Sequence, residues 1–154
     1  MTQQMRYTDA LEALRKQMRL LLEDTPLPTA RDLACDAMSG ILKGKKNASF
    51  LIIIREPDDR VRWKDHLNAR LGEEAASFIM RASTLSCASR MKRLTLTTWD
   101  LIVFEQTSPI TKRNNELSVS KLTSARVIAS HDATDHEAGI LATTFGTFIN
   151  TTII

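Results

Sequence analysis

The stretch Ser49-Phe-Leu-Ile-Ile-Ile54 is an apolar, β-branched run bounded by polar residues. A strand that is buried on both faces has this composition, and such strands belong to parallel sheets that helices cover. Trp99-Asp-Leu-Ile-Val-Phe104 repeats the pattern further along the chain and predicts a second central strand. The two runs together indicate an α/β fold with a parallel sheet at its centre.

Amphipathic segments alternate with these strands. The segment from Asp9 to Asp24 predicts a helix whose apolar stripe consists of Leu11, Leu14, Met18, Leu21 and Leu22. Helical spacing and terminal signals predict further helices over residues 29–44, 57–72, 115–123 and 135–148. Shorter apolar runs predict additional strands over residues 77–80 and 125–129.

This alternation of strands and helices predicts a three-layer fold with a mostly parallel sheet and right-handed crossovers. The length of 154 residues suits one domain. We therefore expect an N-terminal helical arm over residues 1–24 and a single α/β domain over residues 25–154.

Composition narrows the function classes without choosing one. The formal net charge of +3 and the pI of about 9.1 favour anionic partners only slightly. Cys35 and Cys87 are expected to be reduced, and the three histidines complete no recognisable zinc pattern, so we expect no metal or other cofactor. The sequence shows no secretion signal and no run of 18 apolar residues, which makes the cytoplasm the expected location.

Four places in the sequence resemble the first RecA-like lobe of superfamily-two helicases and DNA translocases. Pro28-Thr-Ala-Arg-Asp-Leu-Ala-Cys-Asp-Ala-Met38 stands where that family has a nucleotide-binding loop and helix. Phe50-Leu-Ile-Ile-Ile-Arg-Glu-Pro57 with Val61-Arg-Trp63 is similar to the strand, turn and helix that follow. Trp99-Asp-Leu-Ile-Val-Phe-Glu-Gln106 resembles the acidic-box strand, and Arg126-Val-Ile-Ala-Ser-His-Asp-Ala-Thr134 the later strand with its small-residue motif. The resemblance covers roughly residues 29 to 150 and implies a RecA-like lobe.

The residues that ATP hydrolysis would need are absent from these motifs. A phosphate loop needs glycines and a lysine, and the stretch from Asp24 to Asp36 contains neither. The pair Gly44-Lys45 follows the helix instead of preceding it. The acidic box retains one carboxylate, Glu105, followed by the amide of Gln106. One lobe also lacks the second lobe that closes over nucleotide in this family, so the resemblance implies a pseudo-ATPase lobe without catalytic residues.

Three hypotheses for function follow. The first is a non-catalytic lobe that binds DNA, or a DNA-processing protein in recombination or repair, through basic loops: Lys43, Lys45, Lys46, Arg90, Lys92, Arg93, Lys112, Arg113 and Lys121. The second is an interaction or self-assembly module that binds no nucleic acid. The helix over residues 9–24, which could form a homo-oligomer, and the apolar tail over residues 148–154 favour it. The third is a small-molecule enzyme that uses the loop from His131 to His136.

Overall fold

The computed structural model describes residues 2–54, 56–86, 94–111, 115–129 and 133–154, with the backbone alone for residues 81–86, 108 and 109. The strands are β1 (Gln3–Met5), β2 (Arg19–Leu22), β3 (Phe50–Ile53), β4 (Ser83–Ser86), β5 (Thr98–Trp99), β6 (Leu101–Phe104), β7 (Thr123–Ser124), β8 (Val127–Ala129) and β9 (Ile149–Ile153). The helices are α1 (Tyr7–Arg15), α2 (Leu27–Gly44), α3 (Asp59–Leu71), α4 (Glu73–Ala82), α5 (Glu116–Val119) and α6 (Asp135–Phe145), with a 3-10 helix at Ser108–Thr111. None of the described helices is both long and apolar enough to span a membrane.

Seven of the described strands form one sheet in the order β1-β9-β2-β8-β6-β3-β4, and each neighbouring pair is parallel. Strands β5 and β7 form a separate parallel pair. All strands of the large sheet therefore begin at one edge, called here the amino edge, and end at the other, called the carboxyl edge.

Helices cover both faces of this sheet, which confirms the three-layer α/β fold. In β3, Phe50 and Ile52 pack in a core that also holds buried residues of α1, α2, α3 and α4. Leu51 and Ile53 pack in a second core with residues of α5 and α6. Successive residues of a strand point to opposite faces of the sheet. Because helices cover both faces, all four side chains are completely buried. The continuous apolar run thus has its physical explanation.

The predicted helix over residues 9–24 is wrong in its second half. Helix α1 ends at Arg15 in a Schellman motif, in which Gln17 N–H bonds to Leu14 and Met18 N–H bonds to Ala13. Gln17 takes the left-handed conformation (φ 61°) that glycine usually occupies, so no glycine in the sequence signals this end. Strand β2 follows and lies between β9 and β8, so residues 1–24 belong to the sheet domain and do not form a separate arm.

Two further predictions are corrected in the same way. Residues 77–80 are not a strand but belong to α4, where Ala76 and Ile79 are buried one helical turn apart. The apolar tail is strand β9, inserted between β1 and β2, with Thr151 completely buried. Most of the tail is therefore part of the sheet, and Ile154, at 66%, is its exposed apolar residue.

Candidate functional site

The candidate site lies at the carboxyl edge, where ligands bind in open α/β sheets. Glu105 directly follows β6, and its backbone N–H continues the ladder by bonding to Ile53. Arg31 lies in the second turn of α2, a helix that starts at Leu27 with Pro28 in its first turn, where a missing N–H costs nothing. Trp63 lies on the buried face of α3. Three separate elements thus direct one side chain each to the same point.

These three side chains form a closed contact, called here the Arg31–Glu105–Trp63 cluster. Glu105 Oε1 accepts from Arg31 Nε at 2.6 Å and lies 2.5 Å from Arg31 Nη2. Its other oxygen, Oε2, accepts from Trp63 Nε1 at 2.7 Å. The Arg31 guanidinium also lies 5.7 Å from the centre of the Trp63 ring, within the range of a cation–π contact. Both carboxylate oxygens therefore have donors, and the negative charge has a counter-charge.

The cluster is removed from water. The side chains of Glu105 and Arg31 are 5% and 13% exposed, and Trp63 is completely buried. A cavity of about 110 Å³ adjoins the cluster, and its wall consists largely of apolar residues such as Leu22 and Val103. Pockets for ligands of cofactor size usually hold about 300–1,000 Å³, so the space here suits a much smaller molecule.

The site does not fit a magnesium–nucleotide complex of the kind that helicase lobes bind. The carboxylate that would organise the metal is held by Arg31, whose guanidinium supplies the positive charge that a metal would bring. Pro26, which precedes α2, and Pro28, in its first turn, have no backbone N–H to donate to a phosphate at the start of this helix. Thr25 is buried, and its hydroxyl donates to the carbonyl of Glu23 at 2.9 Å.

A second polar network joins α1, α2 and α3 outside this site. Asp36 accepts from Tyr7 Oη at 2.5 Å and from Arg70 Nη2 at 2.7 Å, while Asp32 lies 2.7 Å from His66 Nε2. Burial opposes the charge of Asp36, but the hydrogen bonds from Arg70 and Tyr7 outweigh it and lower the pKa of that carboxyl. Burial, and then the contact with Asp36, raise the pKa of the Tyr7 phenol. The network fastens the three helices together.

Two other polar residues of the sequence motifs, Asp100 and Thr134, have structural partners, and others fall outside the described residues. Asp100 accepts from the backbone N–H of Ser49 at 2.8 Å and pairs with Lys45 at 3.0 Å. Thr134 caps α6 in a capping box with Glu137. The residues at 131 and 132, on which the small-molecule enzyme hypothesis depends, lie outside the described residues.

Of the nine basic residues in the DNA hypothesis, four lie within the described residues and five lie outside them. Lys43, Lys45 and Lys46 are exposed where α2 leads into β3, and Lys121 is exposed just before β7. These four residues lie at the amino edge, away from the Arg31–Glu105–Trp63 cluster. The remaining five candidates fall outside the described residues: Arg90, Lys92, Arg93, Lys112 and Arg113.

Sequence reasoning missed Arg31 and Trp63 as partners of Glu105. The three residues are separated by 32 and 42 positions, so no local pattern connects them. The one available signal was physical: a carboxylate at the end of a fully buried strand needs a counter-charge or donors nearby.

The fold is similar to that of several solved structures. The SWI2/SNF2 ATPase core of Sulfolobus solfataricus in complex with double-stranded DNA superimposes with a TM-score of 0.63 and 15% identity, covering 91% of this chain and 34% of that chain. The same ATPase core domain in a second structure gives a TM-score of 0.56 and 15% identity, covering 93% and 33%. The Hef helicase domain of Pyrococcus furiosus aligns with a TM-score of 0.45, 12% identity and coverage of 66% and 25%, which is too remote to bear on the fold.

No family model matches the sequence, and no curated protein matches it significantly. The chain spans about a third of the length of the ATPase cores that it resembles. At 15% identity the likeness establishes the architecture alone. The chain therefore has the fold of a helicase-like RecA-type lobe, as the sequence motifs predicted.

Proposed function

We propose that this chain is a helicase-like lobe that does not hydrolyse ATP and that acts by binding DNA or a DNA-processing protein. The proposal that the chain does not hydrolyse ATP rests on the Arg31–Glu105–Trp63 cluster. The carboxylate in the acidic-box position has an internal cation at 2.5 Å and an indole donor at 2.7 Å. A buried, fully paired carboxylate is a poor ligand for a metal, because releasing it would leave the Arg31 charge buried without a partner.

An ATP turnover assay tests this half. Phosphate release is measured with Mg²⁺ and ATP, with and without double-stranded DNA, for the wild type and for Glu105→Gln. We expect both proteins to match the protein-free blank under both conditions. Turnover by the wild type that disappears in Glu105→Gln would show that Glu105 is catalytic and would overturn the pseudo-ATPase proposal.

The second half, binding to DNA, is supported by the basic balance of the chain and by the exposed lysines of the amino edge. An ATPase core of similar fold was solved in complex with double-stranded DNA. A role in recombination or repair, and a cytoplasmic location, remain predictions that accompany this proposal.

Fluorescence anisotropy with labelled duplex DNA at 50 and 200 mM salt tests this half. Contact with several phosphates must give binding that weakens steeply with salt, because each contact releases condensed counterions. Absence of binding at the lower salt concentration would refute the DNA proposal and favour a module that contacts protein alone.

Most of the apolar stripe that suggested the self-assembly alternative is buried within the chain. Leu14, Leu21 and Leu22 are buried within the same chain, and the tail strand β9 is paired on both sides. Of the expected stripe, Met18 is the residue that remains exposed, at 39%. The prediction of a homo-oligomer through this helix therefore has no continuous apolar surface to support it within the described residues.

A further inference from the structure

Cations are concentrated in the described turns at the amino edge of the sheet. The described turns at the amino edge cover residues 16–18, 45–49, 94–100, 120–126 and 146–148. They contain five cations, Lys16, Lys45, Lys46, Lys121 and Arg126, and one carboxylate, Asp100. Lys43, in the last turn of α2, adds a further exposed positive charge beside them.

The described turns at the amino edge thus carry a net positive charge. A polyanion is attracted to such a group of exposed cations.

Several of these cations surround a common depression. A groove of about 810 Å³ runs between α1, α2 and the amino edge, and Arg15, Lys43, Lys45 and Arg126 contribute to its wall. The acidic residues of the same wall each have a cationic partner: Glu12 pairs with Arg15, Asp100 with Lys45, and Asp36 with Arg70.

The lysines of this edge are available to an incoming anion. Lys16, Lys43 and Lys46 are exposed, and none of them forms an ion pair with a residue that the structure describes. Lys45 is paired with Asp100, but its side chain is 53% exposed, and such surface pairs contribute little to stability. Phosphate oxygens can therefore approach without disrupting the fold.

We propose that the amino edge of the sheet is a phosphate-backbone contact surface for duplex DNA, with Lys43, Lys46 and Lys16 as its exposed cations. The inference rests on the proposed DNA-binding function and assigns it to the sheet edge opposite the Arg31–Glu105–Trp63 cluster. A site for single-stranded DNA combines positive charge with exposed aromatic side chains on which the bases stack. The tryptophan at this edge is buried, so we favour duplex DNA as the ligand. Trp99, which ends β5 at this edge, is 6% exposed and donates its indole N–H to Leu94 at 3.0 Å.

The salt dependence of DNA binding locates the surface. The test variant is Lys43→Gln with Lys46→Gln, and the matched control is Arg60→Gln with Lys64→Gln, two exposed cations on α3. Each pair removes two positive charges from a helical or turn surface. Thermal melting of all three proteins confirms that they fold alike before binding is compared.

We expect the test variant to lose two phosphate contacts and the control to lose none. The slope of log affinity against log salt then falls in magnitude by roughly 1.8, at about 0.9 for each contact. When salt rises from 50 to 200 mM, the fold loss of affinity should therefore be about 12 times smaller for the test variant than for the wild type.

The outcomes separate the two proposals. Wild-type binding with equal slopes for all three proteins, or a fall in the control alone, overturns the amino-edge surface and leaves DNA binding in place. Absence of salt-sensitive binding by the wild type overturns the DNA proposal itself, and the surface with it. Tighter binding to single-stranded than to duplex DNA contradicts the assignment of duplex as the ligand.

Discussion

Substitution of Arg31 by methionine tests the buried charge pair directly. The variant keeps much of the side-chain volume and removes the guanidinium, so Glu105 retains Trp63 Nε1 as its remaining donor among those described above. The Glu105 side chain is 5% exposed, and breaking a buried pair by removal of one partner costs about 3–5 kcal/mol. We expect the free energy of unfolding to fall by about that amount.

Urea denaturation at neutral pH measures the effect, with the double variant Arg31→Met/Glu105→Gln completing a thermodynamic cycle. Removal of both charges eliminates the unpaired carboxylate, so the double variant should recover part of the loss. We expect a coupling energy of about 0.5–3 kcal/mol, the range for residues in direct contact. The denaturant slope should be unchanged, because the surface exposed on unfolding is nearly the same.

The matched control is Arg15→Met, which removes an arginine from an exposed pair with Glu12 at 3.4 Å. The side chains of this pair are 80% and 51% exposed, so its loss should change stability by less than about 1 kcal/mol. Equal, small effects of Arg31→Met and Arg15→Met would refute the view that the Arg31–Glu105 pair is desolvated and structurally required.

Three further predictions concern the backbone, the pH dependence and the thiol. Gly72 ends α3 at φ 87°, ψ 162°, a region that non-glycine residues avoid, so Gly72→Ala should destabilise by about 1–3 kcal/mol. Gly40→Ala, inside α2 with open space around the added carbon, should raise the free energy of unfolding by about 0.4–1 kcal/mol. Urea denaturation measures both alanine variants, and changes in the free energy of unfolding that have the same sign would contradict these two predictions. The pKa of Asp36 is lowered in the folded state, so its stabilisation is present above the unfolded pKa of about 3.9 and is lost as pH falls through the lower folded value. The stability difference between wild type and Asp36→Asn should thus be constant from about pH 5 to 7 and shrink below about pH 4 in acid titrations; a difference that grows in acid would contradict it. Cys35 is completely buried, and desolvation first, then Asp36, raise the pKa of its thiol to about 12. In a Cys87→Ser background, a thiol reagent should therefore label it slowly in buffer and rapidly in urea, and equal rates would show that the thiol is accessible.

Local sequence patterns determined the elements whose signals are complete within a few residues. The runs at Phe50–Ile53 and Leu101–Phe104 are central strands as predicted, because a continuous apolar run of that length has to be buried on both faces. Helix α6 likewise begins at Asp135, where the sequence predicted a helix over residues 135–148. The lack of glycine and lysine between Asp24 and Asp36 is a fact of sequence alone.

Tertiary structure decided the segments whose apolar spacing fits either a helix or a strand. Leu21 and Leu22 satisfy a helical stripe, but a Schellman motif without glycine ends α1 early and places them in β2, between β8 and β9. The tail became β9 because it lies between β1 and β2, two strands from the other end of the chain, and this pairing cannot be read from local sequence. The Arg31–Glu105–Trp63 cluster was also decided at this level, because a buried carboxylate selects its partners by distance in space and not by separation along the chain.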